Sequence, residues 1–258
     1  MACTTKTARE LVQERLPGLN IGPEKTTNHA LHDVVFSGIL SPWPNFYKDV
    51  EATFINHNWA GGAICAVENG PSPHSVSHEH VRIGDEHGTQ GRVNKLVGQA
   101  MGAIFRSQNM GISLGDYKSC TGTPTNYRKL PDSMLRNGAG APYAVGEIKT
   151  PWIPRHDIKQ AYLDEREFRQ ILGQAALYMR DCKMRHRYLI CHDTMYNNGQ
   201  PSLRQCFFHL GLEAQQGSIH VTRTSRRKGW VVNKRGDRLY QNDRSSSLRI
   251  VHYVANLL

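Results

Sequence analysis

The densest helical stripe in the chain lies within residues 90–108. Val93, Leu96, Val97, Ala100, Met101, Ile104 and Phe105 recur there at spacings of three and four. That period puts them on one face of an amphipathic helix. Phe168, Ile171, Leu172, Ala175, Leu177 and Tyr178 mark a second helical face within 162–184, with acids early and bases late, the order a helix macrodipole favours. Between the two helices, "GISLGDYKS", "NYRKLPDSMLR" and "PYAVGEIKTPW" read as strands separated by Gly and Pro clusters, as in a meander. After the second helix, "RYLICHDTMY" and "LRQCFFHLGLE" read as two more strands. Residues 90–212 are therefore expected to run helix, three strands, helix, two strands. Such an order indicates an α/β or α+β fold, with a central mixed sheet flanked by helices.

The two ends are patterned less clearly. "MACTTKTARELVQERL" reads as a short amphipathic helix with Leu11, Val12 and Leu16 on one side, followed by a Gly/Pro-containing loop. Residues 31–70 mix aromatics with turn formers, and Pro42-Trp43-Pro44 excludes a helix interior there. "PSPHSVSHEHVRIGDEHG", 71–88, reads as loop. It holds His74, His78, His80 and His87, but no helical HExxH and no nearby cysteine, so exposed histidines are expected rather than a zinc site. Near the C-terminus, "SIHVTRTS", "GWVVNK" and "SLRIVHYVANLL" alternate as strands do. This divides the chain into an N-terminal extension, 1–85, and a main domain, 86–258, that ends in basic strands.

Charge sharpens the picture. The net charge of +10 is concentrated in the second part of the chain: residues 151–258 hold 18 Lys and Arg against 9 Asp and Glu, whereas 1–150 hold 14 against 13. Asymmetry of this kind suggests a polyanionic partner. No apolar run approaches the roughly 18 residues that span a bilayer, so no membrane role is expected. The N-terminus lacks the apolar core of a secretory signal, which makes a cytoplasmic or nuclear protein the expectation. The six cysteines are scattered without a CxxC pair and are expected to be reduced thiols.

The candidate chemistry lies in "PDSMLRNGAGAPYAVGEIKTPW", 131–152. Side chains alternate along a strand, so Glu147 and Lys149 share a face and Ile148 points the other way, into the core. If the strand carrying Asp132 pairs with the strand carrying Glu147, two carboxylates and an amine converge at one sheet edge. Paired carboxylates repel unless a hard divalent cation sits between them, and oxygen donors suit Mg²⁺ or Mn²⁺. Such an ion activates water and polarises a phosphodiester, while the lysine orients that water or stabilises developing charge. "GISLGDYKS" lacks the glycine spacing of a phosphate loop, and no serine-hydrolase elbow or dinucleotide fingerprint is present.

Pro131-Asp132, "GEIK" at 146–149 and the helix holding Gln170 and Gln174 resemble the PD-(D/E)XK nuclease superfamily. More narrowly, Glu147, Lys149, Pro151, Trp152, Gly173, Gln174, Tyr178, Met179 and Thr194 fall in an order that resembles a set of mostly uncharacterised fungal nuclease-like proteins. The resemblance covers about 90–212. It implies a restriction-endonuclease-like core, with Asp132 and Glu147 binding the metal and Lys149 assisting the nucleophile. Gln174 or Gln170 would orient a phosphate or water. Many relatives also carry an acid on the first helix. The helix read at 90–108 offers Gln90, Asn94 and Gln99 instead, so Glu86 serves only if that helix starts earlier; Asp116 is a lesser candidate.

In that reading Arg223, Arg226, Arg227, Lys228, Lys234, Arg235 and Arg238 would neutralise phosphates, with Trp230 and Tyr240 available for stacking. The partner would be nucleic acid, DNA ahead of RNA. A protein partner through 1–85 and a homodimer are left open, as is a nuclease fold that binds without cleaving.

Overall fold

The computed structural model describes residues 4–28, 34–37, 45–67, 79–123, 130–157, 161, 164–182, 186–191, 200–216 and 231–233. The first element is a strand, β1 (Thr4–Thr7), which the helical reading of the N-terminus does not anticipate. Its β-branched threonines suit an extended backbone. Thr7 then caps α1 (Ala8–Gln13) through a capping box with Glu10, satisfying two otherwise open backbone donors. β2 (Val34–Phe36), α2 (Phe46–Asn56) and β3 (Ala63–Val67) follow, and β1 pairs antiparallel with β3.

The long helical stripe becomes three consecutive pieces: α3 (Glu86–Val93), a π-helical turn (Asn94–Gly98) and α4 (Gln99–Ser107). The π turn coincides with a buried cation. Arg204 donates to the Leu96 carbonyl through Nε at 3.1 Å and through Nη2 at 2.8 Å. A π turn breaks the i→i−4 ladder, and an inserted side chain is one of its usual companions.

The central sheet contains β4 (Ile112–Gly115), β5 (Ser133–Asn137), β6 (Pro142–Lys149) and β7 (His186–Cys191), in that spatial order. β4, β5 and β6 form the expected antiparallel meander, and β6 pairs parallel with β7. A parallel neighbour needs a long crossover, which α5 (Glu165–Asp181) provides. Both faces of the sheet are covered. Ala144, Ile148 and Ile190 pack with Val97, Met101 and Phe105 on one side. Val145, Met134 and Leu189 pack with Ile171, Leu172 and Leu177 of α5 on the other. Leu11, Val12 and Leu16 belong to the first of these cores.

"LRQCFFHLGLE", expected as a strand, is instead helix α6 (Leu203–Gln216). Leu203, Cys206, Phe207, Leu210 and Ala214 are buried, a spacing of three and four rather than two. Ser202 and Gln205 form the start signal: Gln205 N donates to Ser202 Oγ at 3.1 Å and Ser202 N donates to Gln205 Oε1 at 2.6 Å. This S-x-x-Q capping box stands in the sequence directly before the run. In the tail, β8 (Val231–Asn233), part of the expected "GWVVNK" strand, pairs antiparallel with β2. "SIHVTRTS" and "SLRIVHYVANLL" lie outside the described residues. Cys120, Cys182 and Cys206 carry free thiols. No helix among the described residues is long and apolar enough to cross a membrane.

α5 lies against β2 at Gly173, where an added Cβ would stand 2.0 Å from the Val34 carbonyl oxygen. Because the obstructing atom is backbone, a side chain there forces β2 off the helix. Gly173→Ala is expected to cost about 1–3 kcal/mol, the usual penalty for overpacking, measurable as a lower urea midpoint. An unchanged midpoint would contradict this close approach.

Candidate metal centre

β6 brings two chemically costly residues into the interior. Glu147 has no exposed surface and Lys149 is 1% exposed. Their i, i+2 spacing turns both toward the α5 layer, while Ile148 enters the opposite core, as alternation requires. Lys149 Nζ donates to Glu147 Oε1 at 2.5 Å and to Gln174 Oε1 at 3.1 Å. Of the two glutamines singled out in the sequence, Gln174 takes the place beside the lysine.

The second acid arrives through strand register. Ser133 pairs with Gly146, so Asp132, the residue before β5, lies beside Glu147. Two bonds hold it there. Ile148 N donates to Asp132 Oδ2 at 2.8 Å, and Gln90 Nε2 donates to the Asp132 carbonyl at 2.7 Å. The third acid comes from α3. Asp85 caps this helix by accepting from Gly88 N at 2.7 Å, which starts it at Glu86 inside the stretch read as loop. The first helix therefore does carry an acid, and Asp85 is the sequence signal for it. Carboxylate oxygens of Glu86, Asp132 and Glu147 all lie within 4.8 Å of one another.

Three carboxylates against one lysine leave an excess of negative charge in a largely buried place. Burial pushes the Glu147 carboxyl up to about 8, with Lys149 opposing and the charges of Asp132 and Glu86 adding to the rise. Burial likewise raises Asp132 to about 6, against the Ile148 N–H, with Glu86 adding and Lys149 and His87 opposing. Tyr178, beneath the site, is also raised, first by burial and then by the Glu147 charge, so its hydroxyl keeps its proton. Glu147 Oε2 is buried and has no hydrogen-bond partner among the described residues. A buried acceptor left open in this way is costly. Oxygens that share one hard cation stand ~3–5 Å apart, given ligand distances of about 2.0–2.6 Å. The three acids meet that spacing, Glu147 keeps an acceptor without a partner among the described residues, and the trio could hold a metal ion.

Other candidates go elsewhere. Asp116 accepts from Ser119 N at 2.8 Å and caps the short 3₁₀ turn Tyr117–Ser119, a local structural use. His80 and His87 join no cluster of potential ligands among the described residues. His74, His78, Trp230, Tyr240 and the basic set Arg223, Arg226, Arg227, Lys228, Lys234, Arg235 and Arg238 lie outside the described residues. Two contributors have no role in the sequence reading. Gln90 counts there only as a position lacking an acid. Tyr178 counts as part of the apolar face and of the resemblance, with no part assigned to it at the site, yet its hydroxyl accepts from Gln174 Nε2 at 2.8 Å. The i, i+4 spacing of Gln174 and Tyr178 is the available clue. No family model, curated protein or solved structure matches the chain.

Proposed function

We propose that this chain is a metal-dependent nuclease built on a restriction-endonuclease-like core, hydrolysing phosphodiester bonds of DNA or RNA. The observation that carries the reading is the convergence of Glu86, Asp132 and Glu147 with the amine of Lys149 bonded to one of them. An all-oxygen donor set selects a hard cation, and Mg²⁺ or Mn²⁺ is the proposed occupant. When bound, it would neutralise the acids, polarise the phosphodiester and favour ionisation of a water.

The chain's own residues supply orientation. Asp132 is fixed at backbone and side chain by Gln90 and Ile148, so its second carboxylate oxygen has a defined direction. Lys149 has three N–H donors and spends two on Glu147 and Gln174, leaving one for a water or phosphate oxygen. Fixed charge of this kind stabilises developing negative charge without reorganising during the reaction. The basic residues 223–238 would bind phosphates without reading sequence.

A second reading is favoured by one observation: Glu147 and Lys149 form a close, almost fully buried ion pair. A protein that keeps the fold and binds nucleic acid without cutting would retain such a pair for structure. One assay separates the readings. Single- and double-stranded DNA and RNA are incubated with Mg²⁺, Mn²⁺ or EDTA. The nuclease reading expects metal-dependent cleavage that Glu147→Ala and Lys149→Ala remove. Cleavage surviving both changes rejects the assignment. Binding without cleavage supports the second reading. Neutralising Arg223, Arg226 and Arg227 should then lower the salt slope of duplex binding by about 0.9 for each phosphate that is no longer neutralised.

A further inference from the structure

We propose that Tyr178 is a positioning residue of this site, which sets the amide of Gln174 so that its carbonyl faces Lys149. The inference rests on the reading of Lys149 as the amine that acts beside the acids.

Gln174 lies between two partners of different character. An ammonium only donates, so the Gln174 atom facing Lys149 has to be the carbonyl Oε1, at 3.1 Å. The amide NH₂ then points the other way, to the Tyr178 hydroxyl at 2.8 Å. A hydroxyl can donate or accept, and a donating Tyr178 would favour the flipped amide, with NH₂ against the ammonium. The hydroxyl proton is drawn elsewhere: Tyr178 donates to the Leu130 carbonyl at 3.3 Å, and a carbonyl can only accept. The direction of the whole chain is thus dictated by its two ends, an ammonium and a backbone carbonyl. Tyr178 and Gln174 carry that direction across the interior.

The geometry has a second consequence. Leu130 is two residues from Asp132, so the same chain ties the approach to β5 to helix α5. Lys149 and Asp132 are thereby referenced to one helix through one hydroxyl. Tyr178 is 1% exposed and sits one helical turn after Gln174, so water does not compete readily for these bonds.

The test uses the full chain without metal or substrate, labelled with ¹⁵N at glutamine side chains, and reads exchange of the Gln174 amide protons with water. In the wild type they are expected to exchange more slowly than those of exposed Gln13. Tyr178→Phe keeps the ring and removes the hydroxyl. It should speed exchange at Gln174 by roughly threefold to tenfold, the equivalent of one net hydrogen bond, while backbone amides of α5 keep their protection. Unchanged exchange at Gln174, or an equal loosening of the α5 backbone, overturns the proposal, since the tyrosine would then only pack. If the variant does not fold, the wild-type measurement decides: Gln174 exchanging as fast as Gln13 also overturns it. Because no metal or substrate is present, failure of the nuclease reading would appear in the cleavage assay and leave this measurement intact.

Discussion

Glu147→Gln is expected to abolish metal-dependent cleavage while leaving the metal-free protein as stable as the wild type or more stable. The two effects have one cause. Glu147 is wholly buried and its Oε2 has no partner among the described residues. Its charge therefore stabilises a cation but burdens the metal-free fold. Glutamine keeps a carbonyl to accept from Lys149 and turns the open acceptor into an NH₂ that faces the carboxylates of Asp132 and Glu86. Removing the ligand should lower kcat by on the order of 10²–10³ or more, the scale of removing one preorganised charge from a reacting centre. Relieving an unsatisfied buried acceptor should gain about 1–3 kcal/mol in EDTA, read by urea unfolding at about pH 8. A variant that cuts normally, or one that is strongly destabilised in EDTA, would remove Glu147 from the metal-binding role.

Divalent cations are expected to stabilise the protein more as pH rises. The carboxyls of Asp132 and Glu147 are raised from ordinary values of 3.8 and 4.5 to about 6 and about 8. Across that window the folded chain holds protons the unfolded chain has released. Their contribution to stability is therefore fully present below about pH 4 and is lost as pH climbs through 6 and then 8. In EDTA this pair should pull Tm down between pH 5 and pH 8. A cation competes with the same protons, so its effect is small at pH 5 and grows to pH 8. At a cation concentration of 100 Kd it amounts to ~2.7 kcal/mol, or about 5–10 °C in a chain of this size. Thermal melts at several pH values, with Mn²⁺ and with EDTA, measure it. A shift as large at pH 5 as at pH 8, or one that persists when Glu86, Asp132 and Glu147 are all changed to their amides, would place the metal elsewhere.

Much of the central sheet is legible because its signals are local. The meander of β4, β5 and β6 shows in alternation and turn residues, and α5 in its three-and-four spacing. Two start signals carry what the apolar pattern alone does not: α6 is read as a strand, and the helix read from residue 90 begins at Glu86. The S-x-x-Q box before α6 and the aspartate before α3 each mark a helix, yet the apolar run "CFFHL" reads equally as a buried strand when taken alone. β1 and its pairing with β3 give no comparable warning, since four residues hold too little pattern to be distinguished from the first turn of α1.

The candidate site divides along the same line. Alternation on one strand is enough to put Glu147 and Lys149 on a common face, and composition is enough to put the excess positive charge near the C-terminus. Neither brings Glu86 to Asp132, which stands 46 positions later, because no local period links them. That meeting depends on the Ser133–Gly146 register and on α3 docking with its first residue at the sheet's end. Burial is likewise collective: only helices closing over both faces of β6 take Glu147 and Lys149 out of water. Local chemistry therefore selects the residues, while long-range packing sets their separation and ionisation, on which any metal binding depends.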